Sequence, residues 1–285
     1  MNKFYTLLSF LIVFAWQAAG QVVDTFAQWK WVAGNTANLI QPAYPATKGT
    51  PGAPTTYHPG SKSDPVSWTD TAGNLWLFGG CYNLQNHFND VWKYNPGNNT
   101  WTWMNGQSGL GAPSTNTEKT GALLSSAGVP HSGNMAPGRY SCAYASDSAG
   151  NLWVFGGIRV QNSTRRNDLW MFNSTSNEWT YLNGTTISPA TEVTGKYGQK
   201  NVPAATNQPG GRGYGAGLAW VDNKAGKFYM FGGYGVGGGT NTTLGYLGDF
   251  WAYDMATRMW TWIGGDTLIV TTKKSVYGTK GVADA

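Results

Sequence analysis

The sequence predicts an all-β chain built from repeated four-stranded sheets. Three observations carry that expectation. The 285 residues include 40 Gly, 13 Pro, 15 Trp and 15 Tyr, while charged residues make up only 12%. Such a composition suits short strands joined by tight turns, and it argues against a coiled coil, a helical bundle or a charged disordered chain. A segment ending in Phe-Gly-Gly occurs three times at nearly constant spacing, and each copy is followed by the same two aromatic segments.

Residues 1–20 read as a secretory signal. Lys3 is the only charge, an apolar run extends from Phe4 to Trp16, and Ala18-Ala19-Gly20 supplies small residues for cleavage before Gln21. The run is shorter than the roughly 20 residues that span a bilayer, so cleavage is favoured over a membrane anchor. The expected location is secreted or extracellular, or periplasmic in a bacterium, with no membrane span after cleavage. Sequons at Asn98, Asn162, Asn173, Asn183 and Asn241 would accept glycans in a eukaryotic secretory pathway. The formal net charge is +5, with no basic block longer than the pairs Arg165-Arg166 and Lys273-Lys274. A nucleic-acid partner is therefore not expected.

The repeat defines the body of the chain, 21–285. Asn74-Leu-Trp-Leu-Phe-Gly-Gly80 recurs as Asn151-Leu-Trp-Val-Phe-Gly-Gly157 and Lys227-Phe-Tyr-Met-Phe-Gly-Gly233, at offsets of 77 and 76. Each unit opens on Pro-Gly and a basic residue: Lys62, Arg139 or Arg212. Strand a is expected over 63–69, 139–146 and 213–221. Strand b carries Phe-Gly-Gly. Strand c carries Asp90-Val-Trp92, Asp168-Leu-Trp170 or Asp249-Phe-Trp251, and strand d carries Trp101, Trp179 or Trp260. Short Asp/Asn/Gly turns join a to b and c to d. The units cover about 59–106, 137–184 and 209–265. A twisted four-stranded sheet buries both faces when such sheets stack radially, as in a β-propeller. Trp101, Trp179 and Trp260 are then expected to pack between blades.

These residues resemble the kelch repeat. The pairs Gly79-Gly80, Gly156-Gly157 and Gly232-Gly233 match its double glycine, and Trp101, Trp179 and Trp260 match its downstream tryptophan. The resemblance implies a kelch-type β-propeller, often a binding scaffold, with three complete blades. Trp29-Lys-Trp31 reads as an orphan strand d before the first blade. Tyr277-Gly-Thr-Lys280 repeats Tyr197-Gly-Gln-Lys200, which precedes a new Pro-Gly. Three blades are fewer than the four to eight that close a ring. The expectation is a truncated propeller, with closure by self-association as an alternative.

Alternating strand directions put the b–c and d–a loops on one face, and these are the long ones. Binding groups are expected there. Arg159, Arg165 and Arg166 share one loop and could clamp carboxylates or sulfated sugars. Tyr82, Tyr234 and Tyr246 could stack on sugar rings or partner side chains. His58, His87 and His131 are the only histidines; together with Cys81 they show no close ligand spacing, so no metal or cofactor is expected. Cys81 ends strand b of the first blade and Cys142 lies early in strand a of the second, an arrangement that allows a disulfide. Arg139 and Arg212 are expected to tie blades together, and Asp90, Asp168 and Asp249 to serve turns or caps.

No catalytic motif emerges. The functional expectation is a secreted scaffold that binds a protein or glycan through the long-loop face. The alternative rests on a second resemblance, to the propeller of galactose oxidase, a radical-copper enzyme. That family implies a copper site of two tyrosines and two histidines, with one tyrosine cross-linked to a cysteine. No stretch here matches those motifs, so that reading needs residues beyond 285.

Overall fold

A computed structural model describes residues 41–109, 117–159, 164–185, 191–213, 218–240 and 242–269. The expected signal, the Trp29-Lys-Trp31 strand, the Tyr277 segment and the sequons at Asn162 and Asn241 lie outside these residues. No helix occurs among the described residues, so none is long and apolar enough to cross a membrane.

The first stretch of chain gives β1 (Pro51–Gly52), β2 (Val66–Thr69), β3 (Leu75–Phe78), β4 (Cys81–Tyr82), β5 (Asn86–His87), β6 (Val91–Asn95), β7 (Thr100–Asn105) and β8 (Thr117–Glu118). Blade 1 has the order β1-β7-β6-β3-β2, and a small separate sheet has the order β4-β5-β8. Blade 2 follows as β9 (Ala143–Ser146), β10 (Leu152–Phe155), β11 (Leu169–Asn173) and β12 (Glu178–Asn183), in the order β12-β11-β10-β9. Blade 3 contains β13 (Arg212–Gly213), β14 (Leu218–Asp222), β15 (Lys227–Gly235), β16 (Gly245–Asp254) and β17 (Met259–Gly264). There β13 and β14 both pair with β15, which pairs with β16 and then β17. The described residues form an all-β fold with three antiparallel propeller blades.

Strand a is shorter than the sequence predicts. Asp64 and Ser141 adopt positive φ values of 48° and 57°, which no extended strand carries. Before them only isolated bridges form, Ser63 with Cys81 and Tyr140 with Ile158. The a–b turns have a plain local cause. Asp70 accepts the backbone N–H groups of Ala72 and Asn74 at 2.9 Å and the Trp76 indole N–H at 2.8 Å. Asp147 repeats this with Ala149, Asn151 and Trp153. Each turn also needs a glycine at φ 79°, Gly73 or Gly150.

The cores lie between blades. One cluster joins Val66, Trp68, Trp76 and Phe78 of blade 1 to Leu152, Val154, Phe172 and Trp179 of blade 2. The next joins Ala143, Trp153 and Phe155 of blade 2 to Phe228, Met230, Tyr253 and Trp260 of blade 3. Trp179 meets Phe78 at a centroid distance of 4.8 Å, and Trp260 meets Phe155 at 5.5 Å. Burial of each such ring stabilises by roughly 1.5–3 kcal/mol. Trp101 departs from the expectation: it is only half-buried, resting on Tyr94 of its own blade at 5.1 Å. Strand β9 lies beside β2 on one side and β14 on the other, so the a strands are the ones that converge.

The double glycines serve this convergence. Gly80 donates its N–H to the Arg139 carbonyl at 2.9 Å, and Gly157 donates to the Arg212 carbonyl at 2.8 Å. A Cβ on Gly79 would stand 2.7 Å from the Arg139 oxygen, and one on Gly156 would stand 2.6 Å from the Arg212 oxygen. Both positions also have positive φ, 65° and 68°. Only glycine combines that conformation with so close an approach of the next blade.

Each blade is pinned internally by a buried charge pair. Arg139 donates two hydrogen bonds to Asp168 and one to the Gly156 carbonyl. Arg212 does the same with Asp249 and the Gly232 carbonyl. Lys62 takes this place in blade 1, with Asp90 and the Gly79 carbonyl. Each aspartate also accepts the indole N–H two residues on, from Trp92, Trp170 or Trp251. A β-bulge falls at this point in all three blades. The capping role expected for the aspartates is thus one half of a salt bridge. The arginines tie blades through their carbonyls and hold their own blade through their guanidinium groups.

The segment before each strand a runs along the outer strand of the same blade. Gly49 donates to Trp103 and β1 pairs with β7; Gly128 donates to Tyr181; Asn201 donates to Trp262. Asn134 and Asn207 reinforce this through side-chain bonds to the Trp179 and Trp260 carbonyls. Much of the described segment before each strand a therefore seals an outer edge that would otherwise be open for pairing. That part of the chain is not available on the loop face.

Candidate functional site

The b–c loops gather where the double glycines end. In blade 1 the turn between β4 and β5 brings His87 back beside Cys81, and β8 joins in parallel, pairing Glu118 with His87. Arg159, Arg165 and Arg166 belong to the corresponding loop of blade 2. All three are buried. Arg159 Nε meets Glu118 Oε2 at 3.0 Å, Arg166 pairs with the other oxygen of Glu118, and Arg165 meets Glu192 Oε1 at 3.0 Å. Glu192 also accepts the Arg165 backbone N–H at 3.0 Å.

Where the sequence suggests a clamp for carboxylates or sulfated sugars, the structure sets two carboxylates of the chain itself against these arginines. The guanidinium groups are committed to two glutamates that arrive on the d–a connections. The cluster fastens those connections to the b–c loop of blade 2. Glu118 and Glu192 are the residues that sequence reasoning missed. Their separations of 41 and 27 residues from Arg159 and Arg165 hide the pairing. The available signal was the scarcity of acids, 14 Asp plus Glu in the whole chain, set against three arginines in one loop.

His87 is buried beneath the Tyr140 ring at a centroid distance of 4.7 Å. Burial, with the nearby Arg166 charge, pushes its pKa down to about 3, so it stays neutral. His58 accepts the Gly60 N–H through Nδ1, and exposed His131 accepts the Gly133 N–H in the same way. His131 also bridges to Trp179 on the outer edge of blade 2, away from the other two. Among the described residues no group of three His, Cys, Asp or Glu stands close enough to hold a metal ion.

Cys81 and Cys142 are both buried and free. The disulfide does not form because the thiols enter different clusters. Cys81 joins Tyr140 and Ile158 and lies 3.1 Å from Ser63 Oγ, whereas Cys142 faces the core between blades 1 and 2. Burial raises both thiols, Cys142 to about 12. Of the described sequon residues, Asn98 is exposed, while Asn173 and Asn183 are half-buried. Asn173 caps its own turn by accepting the N–H groups of Thr175 and Ser176.

The tyrosines divide. Tyr82 is half-buried on β4. Tyr234 and Tyr246 lie directly opposite each other at the far end of the β15–β16 hairpin, with ring centroids 5.2 Å apart. Those strands have nine and ten residues, against four and five for their counterparts in blade 2. Arg165 sits over the Tyr234 ring at 5.6 Å. Tyr246 is 84% exposed. The face thus carries a buried ionic base and one projecting aromatic group braced upon it.

A kelch-motif family model matches residues 71–102 and 148–185. These stretches run from the a–b turn to strand d in blades 1 and 2. The solved structure of YjhT is similar at 14% identity, over 85% of this chain and 69% of that one, with a TM-score of 0.43. A search of the curated proteins finds no match.

Proposed function

We propose that this chain, a kelch-repeat β-propeller, acts as a secreted binding module whose contact point is the Tyr234–Tyr246 hairpin of the loop face. The kelch-propeller fold supports a protein-binding scaffold in general. A glycan as the partner, export through residues 1–20 and closure of the ring by a second copy complete the reading. The observation that carries it is Tyr246, an 84% exposed aromatic ring supported by Tyr234. An exposed ring braced from behind offers large contact area at little entropic cost, the usual property of a binding hot spot. The arginine cluster contributes rigidity underneath.

A panel of immobilised glycans and secreted proteins tests this. The chain should retain at least one member, and Tyr246→Ala should weaken that binding at least about tenfold without moving the unfolding midpoint. Equal retention by the variant would remove the hairpin from the site.

A further inference from the structure

The first and third described blades carry apolar faces that match. On blade 3, Leu218, Trp220, Tyr229, Phe231 and Phe250 share the face turned away from blade 2. Leu218 is 65% exposed, Trp220 46% and Phe231 44%. Tyr229 stacks on Phe250 at 5.7 Å, so the face is a continuous aromatic surface. The same positions in blade 1 are Val66, Trp68, Trp76, Phe78 and Val91, all buried by blade 2. In blade 2 the corresponding Ala143, Trp153, Phe155 and Leu169 are buried by blade 3. The glycines agree: a Cβ on Gly79 or Gly156 would strike the next blade, but one on Gly232 would meet only Leu247 of its own blade, at 3.1 Å.

Blade 1 shows the complementary half. Leu75, Leu77 and Trp101 occupy the positions of Leu152, Val154 and Trp179 in blade 2. In blade 2 all three are fully buried against blade 1. On blade 1 itself Leu75 is 47% exposed, and Leu77 and Trp101 are half-buried. Among the described residues the same interface therefore occurs twice, and each half of it occurs once more with no described residue covering it.

From this pairing we infer that the exposed face of blade 3 receives the Leu75–Leu77–Trp101 face of blade 1 from a second copy of this chain. Trp101 of one copy then lies over Phe231 of the other, as Trp179 lies over Phe78 and Trp260 over Phe155. The contact is heterologous, head to tail, and two copies joined through both faces bring their six described blades into one ring. The inference rests on the reading of a scaffold closed by self-association, and it names the surfaces that close it. An apolar face of this kind, left open, is a site for association.

Sedimentation of the 285-residue chain up to about 100 μM tests it. A dimer is expected. Trp220→Glu on blade 3 and Leu75→Glu on blade 1 should each weaken self-association at least about tenfold, with unfolding midpoints unchanged at concentrations low enough that every form is monomeric, because both positions face solvent in the single chain. Mixing the two variants should restore a dimer, since the Leu75→Glu copy keeps an intact blade 3 face and the Trp220→Glu copy an intact blade 1 face. A chain monomeric throughout removes closure by self-association altogether. A dimer indifferent to both substitutions, or a mixture that stays monomeric, leaves self-association standing or open to other surfaces but removes this pairing of faces.

Discussion

Arg139 and Asp168 are joined by two charge-assisted hydrogen bonds of 2.8 and 2.7 Å, with both side chains fully buried. Burial alone would raise the Asp168 carboxyl, but the Arg139 guanidinium outweighs it and holds the group below the usual carboxylate range. Taking such a pair out of water is costly, so its removal is asymmetric. Arg139→Ala strands a carboxylate and should destabilise by about 3–5 kcal/mol in urea titration. Replacing both partners with apolar groups should cost less, about 1–3 kcal/mol, chiefly because the Trp170 indole N–H loses its acceptor.

Two kinds of group set the acid response. Asp249, like Asp168, is held low by its arginine despite burial. Their stabilisation is complete above the ordinary carboxylate range and is lost as pH falls below about 4. His87 acts earlier, because its pKa is lowered from 6.5 to about 3. The unfolded chain binds that proton first, so stability falls by about 2 kcal/mol between pH 7 and pH 5. Denaturation midpoints measured across this interval should slope in the wild type and be nearly flat in His87→Gln. Persistence of the slope in the variant would assign it to another group.

The strand-d tryptophans should separate into two classes. Trp179→Ala and Trp260→Ala each open a cavity between blades, and about 3–5 kcal/mol should be lost. Trp101→Ala should cost about 1–2 kcal/mol, since its ring is half-exposed. Chemical denaturation giving three equal losses would contradict the difference in packing.

Glycines at positive φ should also differ. Gly156→Ala brings a Cβ to 2.6 Å from the Arg212 carbonyl oxygen, so more than about 2 kcal/mol should be lost. Gly73 has a comparable conformation, φ 79°, but nothing lies within 4 Å of its Cβ. Gly73→Ala should therefore cost only about 1–2 kcal/mol, the conformational part alone. Thermal unfolding of the two variants side by side measures the price of blade contact.

The blades were legible because their causes are local and repeated. Asp70 and Asp147 make their turns with residues two to six positions away, and Trp92, Trp170 and Trp251 reach aspartates two positions back. Strand a was read too long because Asp64 and Ser141 take left-handed conformations that their residue types do not announce. The loop face was read poorly for a different reason. Arg159, Arg165 and Arg166 stand in sequence as a cluster ready for an outside anion, and only the tertiary return of Glu118 and Glu192 supplies their carboxylates from within the chain. Cys81 and Cys142 share a neighbourhood in the repeat but face separate cores, a matter of side-chain direction rather than spacing.

The edge-sealing segments give synthesis a fixed order of completion. Gly49, Gly128 and Asn201 leave the ribosome well before Trp103, Tyr181 and Trp262, the residues whose carbonyls they bond. Each segment must wait, unpaired, until the last strand of its own blade has been made. The outer-edge bonds of a blade can therefore form only once its whole unit has been made.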